Sequence, residues 1–128
     1  MTNKSTKKAE SKTFVIWERK GWQYVSVKNI TKSVMVAPIT DDKKLILIQK
    51  YCPALDCREW VFPGGKVEGG LSPKQTINKE LGEEIGLEAK EIIPLGPLRI
   101  LPAYLKVTTD AFIAKNLTRS KLKFDKEE

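Results

Sequence analysis

The chain has 128 residues, of which 41% are hydrophobic and 30% are charged, and its formal net charge is +7. This length allows one small domain with a real core, and no apolar run is long enough to span a membrane. The lysine-rich start also lacks the apolar stretch of a secretory signal peptide, so we expect a cytoplasmic protein.

The first residues differ in composition from the rest. Residues 1–12 contain four lysines and one glutamate, which predicts a basic, disordered tail ahead of a single domain over residues 13–128. A basic field attracts polyanionic substrates. No aromatic-and-basic recognition motif accompanies it, so we expect no specific nucleic-acid partner and no membrane partner.

Short apolar and alternating segments predict a β-rich domain after the tail. Two strands at 14–19 and 22–28 form a hairpin that turns at Lys20 and Gly21. A second pair is predicted at 33–39 and 44–51, and the apolar run 45–48 favours a strand covered on both faces. Further strands are predicted at 59–62, 91–95 and 107–114.

The two cysteines, Cys52 and Cys57, form a single C-x4-C pair. Without histidine or a third cysteine, this spacing does not predict a zinc site. Histidine is absent from the whole sequence, which also excludes a histidine general base. We therefore interpret the cysteines as reduced, partly buried thiols.

Residues 65–87 predict a helix that carries three carboxylates. Glu80 and Glu84 are one helical turn apart and lie on the same side, with Glu83 beside them. Carboxylates this close repel one another unless a cation lies between them. The cluster therefore favours a site for a hard divalent ion such as Mg²⁺.

Local signals fix the ends of this helix. Ser72 and Gln75 have the spacing of a capping box, Pro73 suits the first turn, and Gly86 suits a left-handed end. Apolar residues recur every four positions and predict the buried stripe, at Ile77, Leu81 and Ile85. Before the helix, the Pro63-Gly64-Gly65 run allows the backbone to approach a ligand closely, because glycine has no side chain.

These residues resemble the motif of the Nudix hydrolase family, G-x5-E-x7-R-E-U-x-E-E-x-G-U, where U is a bulky aliphatic residue. Six side-chain types after the opening Gly65 are in register: Glu80, Leu81, Glu83, Glu84, Gly86 and Leu87. The resemblance implies an α/β (α+β) Nudix fold, in which a mixed β-sheet packs against the loop-helix-loop of the motif and an N-terminal β-hairpin precedes it.

The resemblance also implies an activity. Nudix enzymes hydrolyse a nucleoside diphosphate linked to another group, using Mg²⁺ or sometimes Mn²⁺ and a water that the metal activates. The resemblance implies that Glu80 and Glu84 bind the metal together with the carbonyl of Gly64. It also implies that Glu83 helps to bind the metal or the water. Glu83 and Glu84 are thus the expected catalytic residues.

Two positions depart from the motif. The first glutamate is replaced by Leu71 and the arginine by Lys79, which keeps the charge but loses the planar fork. Both departures leave the expected metal ligands in place. We expect a pyrophosphohydrolase with reduced activity, and the alternative is a weakened or inactive nucleotide-binding or interaction protein.

Residues 17–51 resemble the front end of the ADP-ribose pyrophosphatase branch, which implies ADP-ribose or a related ADP-sugar as substrate and a homodimer through the N-terminal strands. Trp17 and Trp22 would then pack in strands or at the dimer contact, or would stack on an adenine ring. Candidate substrate contacts are Trp22, Lys50, Arg58 and Gly65, with Arg99 as a further source of positive charge.

The end of the chain departs from the family as well. In the family, a strand and a second helix normally follow the segment that ends here at Glu128, so the resemblance implies that the C-terminal helix is missing. A catalytic glutamate often precedes that helix in the ADP-ribose branch. The acidic residues nearest to this place are Asp125, Glu127 and Glu128.

Overall fold

The computed structural model describes residues 3–30 and 32–121, which form ten strands and one helix. Within these residues, no helix has the length and apolar character needed to cross a membrane. The elements are β1 (Thr6–Glu10), β2 (Phe14–Arg19), β3 (Trp22–Val27), β4 (Lys32–Pro38), β5 (Ile48–Cys52), β6 (Cys57–Val61), β7 (Gly64–Lys66), α1 (Pro73–Ile85), β8 (Leu87–Leu98), β9 (Leu105–Lys106) and β10 (Thr108–Arg119).

The central sheet has the strand order β7-β4-β10-β8. Strands β4 and β10 run parallel, whereas β7 and β8 join them antiparallel. The predicted mixed sheet is therefore confirmed. Helix α1 packs on this sheet, and the buried apolar cluster between them comprises Val34, Val36, Ile77, Leu81, Ala89, Phe112 and Ala114.

Helix α1 begins and ends where its sequence predicts. The Ser72 side chain accepts a hydrogen bond from the Gln75 backbone, and the Gln75 side chain accepts one from the Ser72 backbone. Gly86 ends the helix with φ at 71°, the left-handed conformation that glycine adopts without strain. Ile77 and Leu81 are fully buried, so the predicted apolar stripe does face the sheet.

A second sheet, in the order β1-β2-β3-β9, holds the predicted hairpin of β2 and β3. Residues Thr6–Glu10 were predicted to be part of a disordered tail, and this is wrong for the structure, which pairs them with β2. Lysine-rich composition disfavours a core strand but suits a sheet edge. Backbone pairing with β2 positions this edge strand, and a surface ion pair of Glu10 with Lys28 at 2.7 Å crosses the hairpin.

The predicted pairing of 33–39 with 44–51 is present only next to the turn, where Ile39 bridges Leu45 antiparallel and the Ile46 N–H donates to the Pro38 carbonyl at 3.0 Å. Strand β4 lies between β7 and β10, while β5 pairs with β6 in a separate two-stranded sheet. The run 45–48 is not covered on both faces, since Leu45 is 54% exposed and Leu47 is 40% exposed. Ile46 is partly buried and Ile48 is buried, so the run 45–48 is covered on one face only.

The last two predicted strands are present and longer than expected. Strands β8 and β10 form a long antiparallel pair that continues beyond residues 91–95 and 107–114. Residues Asp125, Glu127 and Glu128, and the predicted absence of a C-terminal helix, lie outside the described residues. Cys52 is half-buried, but Cys57 is exposed rather than partly buried.

Candidate active site

The carboxylates of α1 face strand β7. Glu84 is only 4% exposed, and its Oε1 accepts a hydrogen bond from the Gly64 backbone N–H at 3.0 Å. A buried carboxylate is costly unless it is hydrogen-bonded or paired with a cation. The contact with Gly64 runs through its amide, whereas the atom predicted to bind a metal is its carbonyl oxygen.

Glu80 lies against the neighbouring glycine of β7. A Cβ atom added to Gly65 would come within 2.5 Å of Glu80 Oε1. Glycine at this position therefore leaves the space that the Glu80 carboxylate occupies. The backbone of β7 thus contacts both glutamates that the sequence predicts as metal ligands.

Glu83 lies on the exposed side of this group. Its Oε1 is 3.3 Å from Lys79 Nζ, one helical turn earlier. This hydrogen bond is the main cause that raises the pKa of Lys79, followed by the attraction of the Glu83 charge. Both side chains are well exposed, so the ion pair adds little stability and can open readily.

A cavity of about 610 Å³ lies between β3 and the segment 99–108. Trp22 closes one side, where its Nε1 donates to the Ala103 carbonyl at 2.6 Å and its ring lies 5.8 Å from that of Tyr104. The guanidinium of Arg19 lies over the ring of Tyr24 at 5.7 Å. The charged and aromatic residues of the lining are Arg19, Trp22, Tyr24, Arg99 and Lys106.

One lining residue of this cavity belongs to the central sheet that also holds β7. This residue, Thr108, begins β10 and pairs with Lys32 of β4, and the next residue of β4, Ser33, pairs with Lys66 of β7. Adjacent strands are about 4.8 Å apart, so roughly 10 Å separates the cavity from β7.

The structure brings some of the predicted residues together and separates others. Trp22 lines the cavity, but Lys50 and Arg58 lie on the β5–β6 hairpin, where Arg58 donates to the Gln49 carbonyl at 2.8 Å. Sequence reasoning did not select Arg19 or Tyr24. The alternation of side chains along a strand could have identified them. Arg19 pairs with Trp22, and Tyr24 is two residues after Trp22, so all three side chains lie on one face of the sheet.

Comparison with known proteins gives the family. The sequence pattern of the NUDIX domain matches residues 30–120, which include β4, the glycines of β7, the whole of α1 and β10. This match extends over more than half of the chain. This protein belongs to the Nudix family.

Two relatives by sequence are named for ADP compounds. The Nudix chain is 33% identical over 97 residues to ADP compounds hydrolase NudE of Escherichia coli (strain K12), covering 76% of this chain and 52% of the relative. It is 29% identical over 98 residues to ADP-ribose pyrophosphatase of Bacillus subtilis (strain 168), covering 75% of this chain and 53% of the relative. The chain thus spans about half the length of these relatives.

The fold comparison agrees with this assignment to the Nudix family. A crystal structure of ADP compounds hydrolase has a TM-score of 0.77 with 30% sequence identity, covering 98% of this chain and 71% of the other. The match extends beyond the residues of the NUDIX pattern, so the N-terminal sheet is included in the shared fold.

The contact between Gly65 and Glu80 gives a prediction. Gly65→Ala should lower the rate of the activity proposed below by roughly tenfold, because the new methyl group displaces the Glu80 carboxylate. Stability should change little, since the displaced atoms end a flexible side chain. Steady-state kinetics and thermal melting of the variant measure the two effects separately.

Gly64→Ala provides the contrast for this experiment. A Cβ at Gly64 would meet the backbone carbonyl of Val34, which cannot move aside. This variant should lose about 1–3 kcal/mol of stability. If Gly65→Ala instead lost as much stability as Gly64→Ala, or kept full activity, the predicted role of the Glu80 position would be wrong.

Proposed function

We propose that this protein is a metal-dependent pyrophosphohydrolase, which cleaves a nucleoside diphosphate linked to another group into two monophosphates. The substrate is ADP-ribose or a related ADP-sugar. The observation that carries this proposal is the position of Glu80 and Glu84 against Gly64 and Gly65 in a chain of the Nudix family. The names of the two relatives support the substrate class.

The donor atoms fit a hard divalent cation. In residues 3–30 and 32–121, no three side chains of the His, Cys, Asp and Glu types are grouped closely enough to form a metal site by themselves. Mg²⁺ does not require such a group, because it binds through one or two carboxylates together with waters and substrate phosphates. Glu80 and Glu84, with the Gly64 carbonyl, would hold Mg²⁺, and Mn²⁺ could replace it.

The cation and the protein's own residues would have different roles in the reaction. When bound, the cation supplies neutralisation of the bridging phosphates and an acidified water as nucleophile. Glu84 keeps its position through the Gly64 amide, and Glu80 is confined beside Gly65. Glu83 assists at the metal or the water, for which its exposed ion pair with Lys79 must open.

The cavity beside β3 provides room for the nucleoside. Arg19, Arg99 and Lys106 would face the phosphates, and the adenine would contact Trp22 or Tyr24. Its volume of about 610 Å³ falls within the usual range for nucleotide-sized ligands. Lys50, Arg58 and Gly65 remain predicted substrate contacts. The side chains of Lys50 and Arg58 would reach the ligand only if the β5–β6 hairpin closes over it.

The test is product release from a panel of ADP-ribose, other nucleotide sugars, dinucleoside polyphosphates and nucleoside triphosphates, each with Mg²⁺. Turnover of ADP-ribose or an ADP-sugar in preference to the others would support both the reaction and the substrate class. Turnover of only one of the other compound classes would refute the proposed substrate but would still support the proposed type of reaction. No turnover of any compound by the folded protein would refute the enzyme.

The same proposal includes a homodimer through the N-terminal strands and a cytoplasmic location. The dimer is supported by an apolar surface on the sheet face opposite Arg19 and Trp22, with Phe14 47% exposed and Ile16 37% exposed. Exposed apolar patches of this kind commonly mark protein interfaces. Sedimentation of the purified protein tests the dimer, and cell fractionation tests the location.

The alternative from the sequence, an inactive binding or interaction protein, rests on Leu71 and Lys79. Metal binding distinguishes the two. Mg²⁺ or Mn²⁺ at ten times its dissociation constant should raise the melting temperature by roughly 5 °C, because a ligand of the native state stabilises it by mass action. Thermal melting over a metal titration measures this shift.

The exposed Glu91 on β8 offers a control for that titration, since Glu91→Gln removes a carboxylate far from β7 and should keep the shift. Its side chain accepts a hydrogen bond from Asn116 Nδ2 at 3.2 Å, which a glutamine oxygen can also accept. Absence of any shift at millimolar metal would favour the inactive binding protein.

A further inference from the structure

The β5–β6 hairpin projects from the fold as a two-stranded sheet of its own. Its main contacts among the described elements are between its own two strands. An isolated two-stranded hairpin is marginally stable in water. This hairpin therefore has little besides its own cross-strand contacts to hold it closed.

The two cysteines face each other at the tip of this hairpin. Cys52 is the last residue of β5, Cys57 is the first residue of β6, and the two are directly opposed in the strand register. Opposed residues of antiparallel strands have Cα atoms about 4.5–5.5 Å apart. A disulfide spans Cα distances of about 4.4–6.8 Å, so this pair needs no rearrangement of the strands.

Each sulfur atom contacts a residue of its own strand, and Cys52 Sγ donates to the Lys50 carbonyl at 3.7 Å. Both cysteines are free thiols in the structure, one half-buried and one exposed. The Cys57 Sγ donates to Glu59 Oε1 at 3.5 Å, and this contact is the main cause that raises the pKa of Cys57. Desolvation and the charge of the nearby Cys52 raise the pKa of Cys57 further.

We propose that Cys52 and Cys57 form a reversible dithiol–disulfide couple, which small-molecule disulfides of the glutathione class oxidise. One cysteine thiolate attacks a sulfur of the reagent, forms a mixed disulfide and releases one reduced thiol. The second cysteine thiolate then attacks the protein sulfur of that mixed disulfide, which forms the internal bond and releases the second thiol. Two electrons pass from the cysteines to the reagent, and their two protons end on the released thiols.

The bond would close a covalent ring around the loop of Pro53, Ala54, Leu55 and Asp56. Two backbone hydrogen bonds already shape this loop, from Leu55 N–H to the Cys52 carbonyl at 3.0 Å and from Asp56 N–H to the Pro53 carbonyl at 3.2 Å. Cross-linking removes open conformations of the hairpin, and exposed disulfides are the more easily reduced ones. The couple would therefore switch the hairpin between a mobile and a fixed state. This inference does not depend on the proposed hydrolase activity.

The test uses the whole chain in buffers of oxidised and reduced glutathione. After oxidation, the intact protein should weigh two hydrogen atoms less, neither cysteine should react with an alkylating reagent, and a peptide map should join residue 52 to residue 57. Excess reduced glutathione should restore both thiols. The variants Cys52→Ser and Cys57→Ser should instead each take up a single glutathione.

Limited proteolysis tests the mechanical effect. Trypsin cleaves after Lys50 and Arg58, which lie on the two strands beside the cysteine pair, and oxidation should slow these cleavages about tenfold relative to the reduced protein. Uptake of two glutathiones, cross-linking between chains without an internal bond, or lasting reduction would overturn the couple. An internal bond with unchanged cleavage rates would overturn the fixed state of the hairpin.

Discussion

Glu84→Gln should lower the turnover rate at least about a hundredfold while the protein stays folded. Glu84 is the most buried carboxylate of the α1 cluster, and it lies against the backbone that faces the proposed cation. Loss of one group that stabilises transition-state charge typically costs about a hundredfold to a thousandfold. Kinetics under saturating Mg²⁺ measure the loss of rate, and metal-dependent melting measures the loss of affinity for the cation.

Glu84→Gln removes the negative charge of the side chain while nearly preserving its shape. Glutamine is nearly isosteric with glutamate, and its amide oxygen can still accept the hydrogen bond from the Gly64 N–H, so the packing of α1 on β7 should persist. The matched control is Glu91→Gln, an exposed glutamate on β8 that also accepts one side-chain hydrogen bond. Equal rates for the parent and the Glu84 variant would sink the assignment of Glu84.

The sequence predicted helix α1 well because its signals are local. The cap at Ser72, the end at Gly86 and the apolar repeat of Ile77 and Leu81 each depend on neighbours within one or two turns. The positions of Glu80 and Glu84 follow from these alone. The contacts of the glutamates with β7 do not, because Glu84 contacts a residue twenty positions earlier and Glu80 one fifteen positions earlier.

Strand pairing was harder to predict for the same reason. The partner of β4 is β10, more than seventy residues later, and no local pattern selects it over the adjacent segment 44–51. The apolar run 45–48 predicts a strand covered on both faces, but Leu45 and Leu47 are exposed. Hydrophobicity indicates that a residue favours burial without showing whether another part of the fold covers it.

The cavity illustrates the same limit at a functional site. Residue type alone selects Trp22 as a candidate. Its hydrogen-bond acceptor, the Ala103 carbonyl, lies 81 residues away, and the cavity forms only because the segment 99–108 returns to β3. Arg19 and Tyr24 could have been found by applying strand alternation from Trp22. Lys106 had no comparable signal in its neighbours.

Leu81→Ala should destabilise the protein by about 2–5 kcal/mol, which is a large part of the total stability of a small domain. Leu81 is fully buried in the cluster between α1 and the central sheet, next in sequence to Glu80. Its truncation removes apolar contact and leaves a cavity that the surrounding sheet cannot fill. Chemical denaturation measures the change in the free energy of unfolding.

Leu55→Ala is the matched control for that measurement, because Leu55 is 64% exposed at the tip of the β5–β6 hairpin. It should change stability by no more than about 0.5 kcal/mol. The same side chain is removed in both variants, so the difference between them isolates the packing of α1 on the sheet. Similar costs at the two positions would show that this packing does not hold the helix, and with it Glu80 and Glu84, in place.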